Sequence, residues 1–232
     1  VVTPGIHRMS GRCPDGSFIA VNVFAYDALD SQLWGGLTST FRNRETKSRL
    51  VKARLDQAEH SMLMSTLAQR AGVSARSVKS LWETDRNDVL VVSDGYGETL
   101  TDVSMTTDVA RGMWRLINAL HKAGIVHSEI SRQAISISNN GELAFNDLRS
   151  AYISEANSGR ILDNVNVLAL TAASVSVDTA ISIAREFLSD DQLLEMAPYL
   201  QKAALSSSSS ASKELNAKKL RERVLEVTGG EE

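Results

Sequence analysis

The sequence predicts an α+β chain of two lobes: a small, mostly β N-terminal lobe with one long helix over residues 1–95, and a larger, mostly helical C-terminal lobe over 96–232. Three observations predict it. Strand-patterned segments cluster before residue 95, a single long run of apolar residues at spacings of three and four interrupts them, and from Ile161 onward nearly every segment has helical periodicity. Strands with one helix, a linker, then helices around a small hairpin is an α+β order.

The elements follow in turn. CPDGS (13–17) carries the Pro-Asp-Gly chemistry of a tight turn, and FIAVNVF after it alternates with period two, so a hairpin is expected. From about Thr46 to Ala71 the residues Val51, Leu55, Ala58, Met62, Leu63 and Leu67 mark the expected apolar face of a helix, with Gly72 as its C-terminal stop. SVKSLWETDRNDVLVVSDGYG reads as two strands joined by a polar turn at Asp85 to Asp88, followed by a glycine-containing link between lobes. Asp108 is the expected N-cap of a helix with Met113, Ile117 and Leu120 on one face and Gly124 at its end. Ala134 to Ser138 and Leu143 to Asn146 form a second hairpin across Asn-Asn-Gly. Breaks in the helical remainder fall at 189–191, at Pro198 and in the serine run 206–210, which has the composition of a surface loop. KELNAKKLRERVLEV places Leu215, Leu220, Val224 and Val227 at helical spacing, for a terminal helix packed on the second lobe. Trp34, Trp82, Trp114 and the SMLM cluster are expected in the core.

With 232 residues, 43% of them hydrophobic, the chain can bury a substantial core. A net charge of -3 with interspersed signs gives no basic footprint, so nucleic acid is not an expected partner. The lone Cys13 excludes an internal disulfide framework and a multi-cysteine metal site. His7, His60 and His121 have no spacing with carboxylates that argues for a metal. No apolar run is long enough to cross a bilayer, and the start VVTPGIHRMSGR lacks the layout of a signal peptide. The missing initiator Met and the GGEE end suggest a piece of a longer protein.

The most informative stretch is LHKAGIVHSEISRQAISI, followed by the second hairpin and FNDL. In order and spacing it resembles the catalytic loop and metal-binding strand end of the protein-kinase and aminoglycoside-phosphotransferase superfamily, H-R-D-L-x-x-x-N and D-F-G. The resemblance covers nearly the whole chain and implies a bilobal protein-kinase-like fold. It places His127 at the loop histidine, an architectural position; Glu129 at the catalytic Asp; Ala134 at the metal-binding Asn; and Asp147 at the D-F-G Asp, with Arg149 in place of the glycine. In a working kinase these groups position the acceptor hydroxyl and hold Mg²⁺. Alanine cannot ligate a metal, and Glu129 adds a methylene to a group whose task is positioning. Asp147 is the remaining candidate for a metal ion or a nucleotide site.

The first lobe departs in the same direction. The kinase strand V-A-x-K corresponds to Ile19-Ala20-Val21-Asn22, so Ala20 is a candidate floor for an adenine-like pocket, while Asn22 offers an amide where a phosphate-clamping cation is needed. Gly5, Gly11 and Gly16 do not make G-x-G-x-x-G. Glu59 corresponds to the helix glutamate and is expected at the edge of the apolar face, paired with Arg149 or reaching solvent.

A narrower resemblance rests on VNVFAYDALDSQLWGGL, KARLDQAEHSMLMSTLAQRAGV, the LHKAGIVH block, EMAPYLQKAAL and KLRERVLEVTG. These are similar to the kinase-like cytoplasmic region of large bacterial membrane proteins related to lysylphosphatidylglycerol synthase and flippase-like families. The resemblance implies a catalytically inactive, regulatory or binding domain at the cytoplasmic face of the cell membrane, with the membrane-embedded portion of the same polypeptide and a further protein as partners. No cofactor is expected, with ATP and Mg²⁺ the candidates if one binds. Two alternatives stand beside this expectation: a divergent ATP-dependent phosphotransferase using Glu129 and Asp147, and an interaction scaffold without a nucleotide site.

Overall fold

The computed structural model describes residues 6–14, 18–24, 54–85, 88–95, 97–101, 103–138, 140–200 and 217–229. Strands β1 (Ile6–Arg12), β2 (Phe18–Phe24), β3 (Val78–Glu83) and β4 (Val89–Asp94) form an antiparallel sheet in the order β1-β2-β4-β3. Register across the first hairpin runs from Ile6 opposite Phe24 to Arg12 opposite Phe18, and Asp15 and Gly16 of the expected turn lie outside the described residues. Thr84 N–H donates to the Asp88 carbonyl at 2.9 Å and closes the β3–β4 turn where the polar run predicts it.

Helix α1 (Arg54–Arg70) covers one face of this sheet. Phe24, Val89 and Val91 meet Ala58 in a small core of their own, and the pairings Phe24 with Val89 and Asn22 with Val91 set that inner face. The buried stripe of α1 is Ala58, Ser61, Met64, Ser65 and Ala68. Ala58 meets the sheet-side core, while Met64 and Ala68 pack into the larger core of the second lobe. The expected stripe is therefore corrected: Leu55 and Leu63 are 38% and 54% exposed. Val51 lies outside the described residues. Gly72, at φ +79°, ends the helix as expected: its N–H donates to Gln69 O at 2.9 Å and Val73 N–H to Ala68 O at 2.9 Å.

The link between lobes passes through Gly97 and β5 (Glu98–Thr99). Gly97 has φ +51°, and a Cβ built on it would lie 1.7 Å from the Ile137 carbonyl oxygen, so only glycine fits this crossing. β5 then pairs with β7 (Ile135–Ile137), which pairs with β8 (Leu143–Phe145). Helix α2 (Thr107–Lys122) buries Met113, Trp114, Ile117 and Leu120. Its N-cap is Thr106, whose hydroxyl accepts from Val109 N–H, and Asp108 sits in the first turn instead. Strand β6 (Ile125–Val126) follows Gly124, at φ +75°, and pairs with β9 (Tyr152–Ile153).

The remainder is helical: α3 (Asn157–Ala172), α4 (Val177–Ala184), α5 (Asp190–Met196) and α6 (Ala217–Thr228). Every residue of α3 from Asp163 to Ala172 is buried. Ser189 caps α5 with a capping box to Gln192, at the break expected in the SDD stretch. Leu220 and Val224 of α6 are fully buried in the large core, as the terminal-helix pattern predicts. Of the three tryptophans, Trp114 is buried and stacks on Phe187, with ring centroids 6.3 Å apart. Trp82 is 62% exposed on the edge strand β3, a correction to the expected core position, and its indole N–H donates to Ser80 Oγ. Trp34, Leu215 and the serine run lie outside the described residues. Among the described residues no helix is long and apolar enough to cross a membrane.

Candidate active-site remnant

The site is built around one buried carboxylate. Asp163, in α3, is fully buried. Its Oδ2 accepts from the backbone N–H of His127 at 2.7 Å and from His121 Nε2 at 3.1 Å, and its Oδ1 accepts from the backbone N–H of Ser128 at 2.8 Å. A buried carboxylate needs such donors to offset its desolvation. The bonds also hold Ser128 at φ +66°, a left-handed conformation that a serine adopts only under constraint. Loop 127–131 is thereby fixed between β6 and a 3-10 turn at Arg132–Ala134.

His127 is buried and its ring lies against Phe145, centroids 5.1 Å apart. Its Nδ1 accepts the Glu129 N–H at 3.3 Å, which leaves the proton on Nε2, and Nε2 has no hydrogen-bond partner. The ring packs against Phe145 and accepts a bond from the loop backbone. Glu129 is exposed, and its Oε2 accepts from Ser150 Oγ at 2.7 Å. Ser128 Oγ donates to the Ser150 carbonyl at 2.6 Å, a second link between the loop and the same residue.

Asp147 and Arg149 close the other side. Arg149 Nε donates to Asp147 Oδ1 at 2.7 Å and its NH2 nitrogen donates to Oδ2 at 2.5 Å, a side-on fork over both oxygens. The Arg149 backbone N–H also donates to Oδ1, at 3.1 Å. Burial disfavours the charged guanidinium, but the charge and hydrogen bonds of Asp147 outweigh it, with Glu129 adding attraction, so the Arg149 pKa stands above its usual value. The expected Glu59–Arg149 pair is corrected on this geometry. Arg149 engages its near neighbour Asp147, and Glu59 is exposed because the row Leu55–Glu59–Leu63 faces outward.

The link from α1 to this turn is instead His60. Its Nε2 donates to the Ala151 carbonyl at 2.8 Å, since a carbonyl can only accept. Backbone bonds from Arg76 N–H to Phe145 O and from Phe145 N–H to Ser74 O tie the segment after α1 to the strand that delivers Asp147.

The remaining predicted positions are occupied as follows. Ala134 is buried, and its carbonyl accepts the Asn146 N–H at 2.8 Å, so the position contributes backbone only. Asn146, beside Asp147, is turned inward: its Oδ1 accepts from Ser136 Oγ at 2.6 Å. Ala20 is buried and Asn22 is half-buried, on the sheet face that meets α1; Asn22 Oδ1 is buried without a hydrogen-bond partner. The structure thus gathers His127, Glu129, Asp147 and Arg149 at one loop and places Ala20 and Asn22 on β2 of the first lobe. Among the described residues no group of three or more His, Cys, Asp or Glu side chains is arranged to hold a metal ion.

Asp163, Ser128 and Ser150 were not singled out by the sequence, and His60 and His121 were weighed there only as metal ligands. One of them left a signal: Asp163 stands in ILDNVNVLALTAA, a run that must be buried and that offers the carboxylate no cation of its own.

No protein-family model matches the chain. It is 35% identical over 86 residues to the "Probable serine/threonine-protein kinase BUD32 homolog" of Archaeoglobus fulgidus, a match to 37% of this chain and 42% of that protein. The chain therefore matches less than half the length of this curated relative. A co-crystal structure of WbdD with a kinase inhibitor superposes on 91% of this chain and 41% of its own, with a TM-score of 0.43 and 13% identity. A β lobe, a helical lobe and the loop and turn between β6 and α3, together with the identity to the BUD32 homolog, support a protein-kinase-like relationship for the chain.

Proposed function

We propose that this chain is a kinase-fold binding and regulatory module that does not transfer phosphoryl groups. The observation that carries the proposal is the Arg149 fork across both oxygens of Asp147. In this fold that carboxylate holds Mg²⁺ against the nucleotide phosphates. Here its charge is met from within the chain, and the two groups that would assist it are an alanine at 134 and an asparagine at 22. Phosphoryl transfer depends on electrostatic stabilisation by these cations and ligands, so their replacement removes most of the driving chemistry. Residues 148–156 carry the chain directly from Asp147 to α3, with only the two-residue β9 between, which leaves little backbone for an extended peptide platform. Any nucleotide it binds is expected to bind without a divalent cation.

The test is incubation of the purified domain with γ-labelled ATP and Mg²⁺ or Mn²⁺. No incorporation into protein or small acceptors is expected. Incorporation that disappears in Glu129→Gln and Asp147→Asn would overturn the proposal. It would favour the second reading, a divergent phosphotransferase, for which the hydroxyl already seated on Glu129 and the kinase name of the A. fulgidus relative speak.

The setting we propose is the cytoplasmic face of a bacterial membrane protein of the lysylphosphatidylglycerol synthase or flippase-like kind, in which the module acts on the membrane-embedded portion of its own polypeptide. Its support is the sequence resemblance alone. Expression of the full gene product followed by membrane fractionation tests it: recovery of the intact parent in the soluble fraction would contradict the placement.

A further inference from the structure

Strand β3 is an edge of the first-lobe sheet: among the described residues its strand neighbour is β4, on one side. Thr84 N–H donates to the Asp88 carbonyl at 2.9 Å, and the register continues through Trp82 opposite Leu90 and Ser80 opposite Val92. Bonded and non-bonded pairs alternate along an antiparallel ladder, so Trp82 and Ser80 turn their backbone groups toward β4, while Leu81 and Glu83 turn theirs to the open edge. The two halves of that edge differ. The first half has the devices that discourage pairing, a register shift between Val78 and Ser80 and an exposed lysine, Lys79. The second half has neither and carries the exposed Trp82, its indole N–H bonded back to Ser80. On the sheet face away from α1, Trp82 is in register with Leu90 and Val23, and the next row holds Val92, Val21 and Met9. An apolar row therefore ends in a tryptophan on a strand whose outer backbone groups are open.

We propose that β3 is an interface between two copies of this chain, paired antiparallel about a two-fold axis at Trp82. A two-fold contact must be complementary to itself, and this strand meets the requirement in backbone, apolar and charge terms. Centred on Trp82, the pairing sets Leu81 of each copy opposite Glu83 of the other, so the outward N–H and C=O groups of both residues are satisfied. Trp82 then meets Trp82 of the second copy at a non-hydrogen-bonded position, where side chains come closest and aromatic pairs stabilise neighbouring strands. The same register brings the exposed Lys79 of each copy to the strand end that carries the exposed Asp85 of the other. The neighbouring registers are poorer. A centre at Glu83 opposes two glutamates, and a centre at Leu81 runs the pairing through the irregular stretch at Lys79 and leaves Trp82 across from Ser80. The paired segment is short, which puts this dimer among the small, transient interfaces.

The test is sedimentation equilibrium of the purified chain from about 1 µM to about 500 µM. The average mass is expected to rise with concentration from 25.2 kDa toward twice that value. Trp82→Ala and Glu83→Pro should each weaken association by about tenfold or more; the proline removes an N–H that faces the edge and no bond to β4. Lys79→Glu alone and Asp85→Lys alone set like charges across the interface and should weaken it, and the two combined should restore it. Within one copy these residues lie six positions apart on an extended strand, roughly 20 Å, so restoration reports pairing between copies. Lys79 also pairs with Asp94 at 3.1 Å, an exposed contact that Lys79→Glu loses. Melting temperatures of the dilute variants read that cost separately from association and verify that each is folded. A monomer mass at every concentration would overturn the proposal. So would a dimer unaffected by Trp82→Ala and Glu83→Pro, which would place the contact elsewhere, and a double charge variant that fails to restore association would overturn the register centred on Trp82.

Discussion

Asp163 and Ser128, 35 residues apart, are joined by a 2.8 Å bond from the serine N–H to Oδ1, and this bond fixes a left-handed residue in the loop that carries Glu129. The same carboxylate binds His127 N–H and His121, so one buried side chain in α3 orients the whole loop. Asp163→Ala leaves those donors buried without an acceptor and is expected to cost roughly 3–5 kcal/mol of stability. Asp163→Asn keeps two acceptor positions at most and should cost less. Chemical denaturation of the purified variants measures both, and a loss under about 1 kcal/mol for the alanine variant would contradict the role given to Asp163.

The two faces of α1 make a paired prediction. Met64→Ala, at a buried position, should cost about 2–5 kcal/mol, whereas Leu63→Ala, more than half exposed, should change stability by no more than about 0.5 kcal/mol. Urea melts decide it, and a larger loss at Leu63 than at Met64 would mean that the helix is rotated.

Gly97→Ala is expected to be strongly destabilising. The new Cβ would collide with the Ile137 backbone in a positive-φ conformation, so the crossing between lobes must move or the β5–β7 pairing must open. A melting temperature equal to wild type would contradict this. Gly124→Ala has open space around its Cβ and should show only the cost of left-handed backbone, about 1–2 kcal/mol.

The Arg149 clamp makes a prediction about pH. A cationic group whose folded pKa is raised contributes stability that is fully present below its unfolded pKa and is lost only as pH rises through the folded value. For an arginine held above its ordinary range that window lies beyond any working buffer. The stability difference between wild type and Arg149→Gly should therefore stay flat from about pH 6 to about pH 9. A difference that changes steadily across that interval would show that some other group controls the clamp.

Much of the fold was legible because its signals are local. Turn chemistry at Pro14 and Asn140, helix stops at Gly72 and Gly124, and the spacing of Leu220 and Val224 each depend on a few neighbouring residues. The helix faces were harder. Hydrophobicity pointed to Leu55 and Leu63, but the helix is wedged between two cores, with Ala58 in the sheet-side one and Met64 and Ala68 in the larger one, and the row carrying the two leucines faces out. Arg149 illustrates the same limit in the site. Its position two residues from Asp147 was visible in the sequence, while the preference for Asp147 over Glu59 depends on how α1 is turned. Asp163 was the one missed residue whose burial was legible from its neighbours; His60 and Ser150 acquire their roles only through contacts across the fold.

The most direct measurement is thermal melting of the wild-type domain with ATP, with Mg²⁺, and with both. The clamp on Asp147 predicts that any rise in melting temperature produced by ATP is unchanged by Mg²⁺, since ligand binding stabilises in proportion to its affinity and the cation adds none. A rise that appears only when ATP and Mg²⁺ are present together would contradict it, because Asp147 would then be holding a metal that Arg149 is said to exclude.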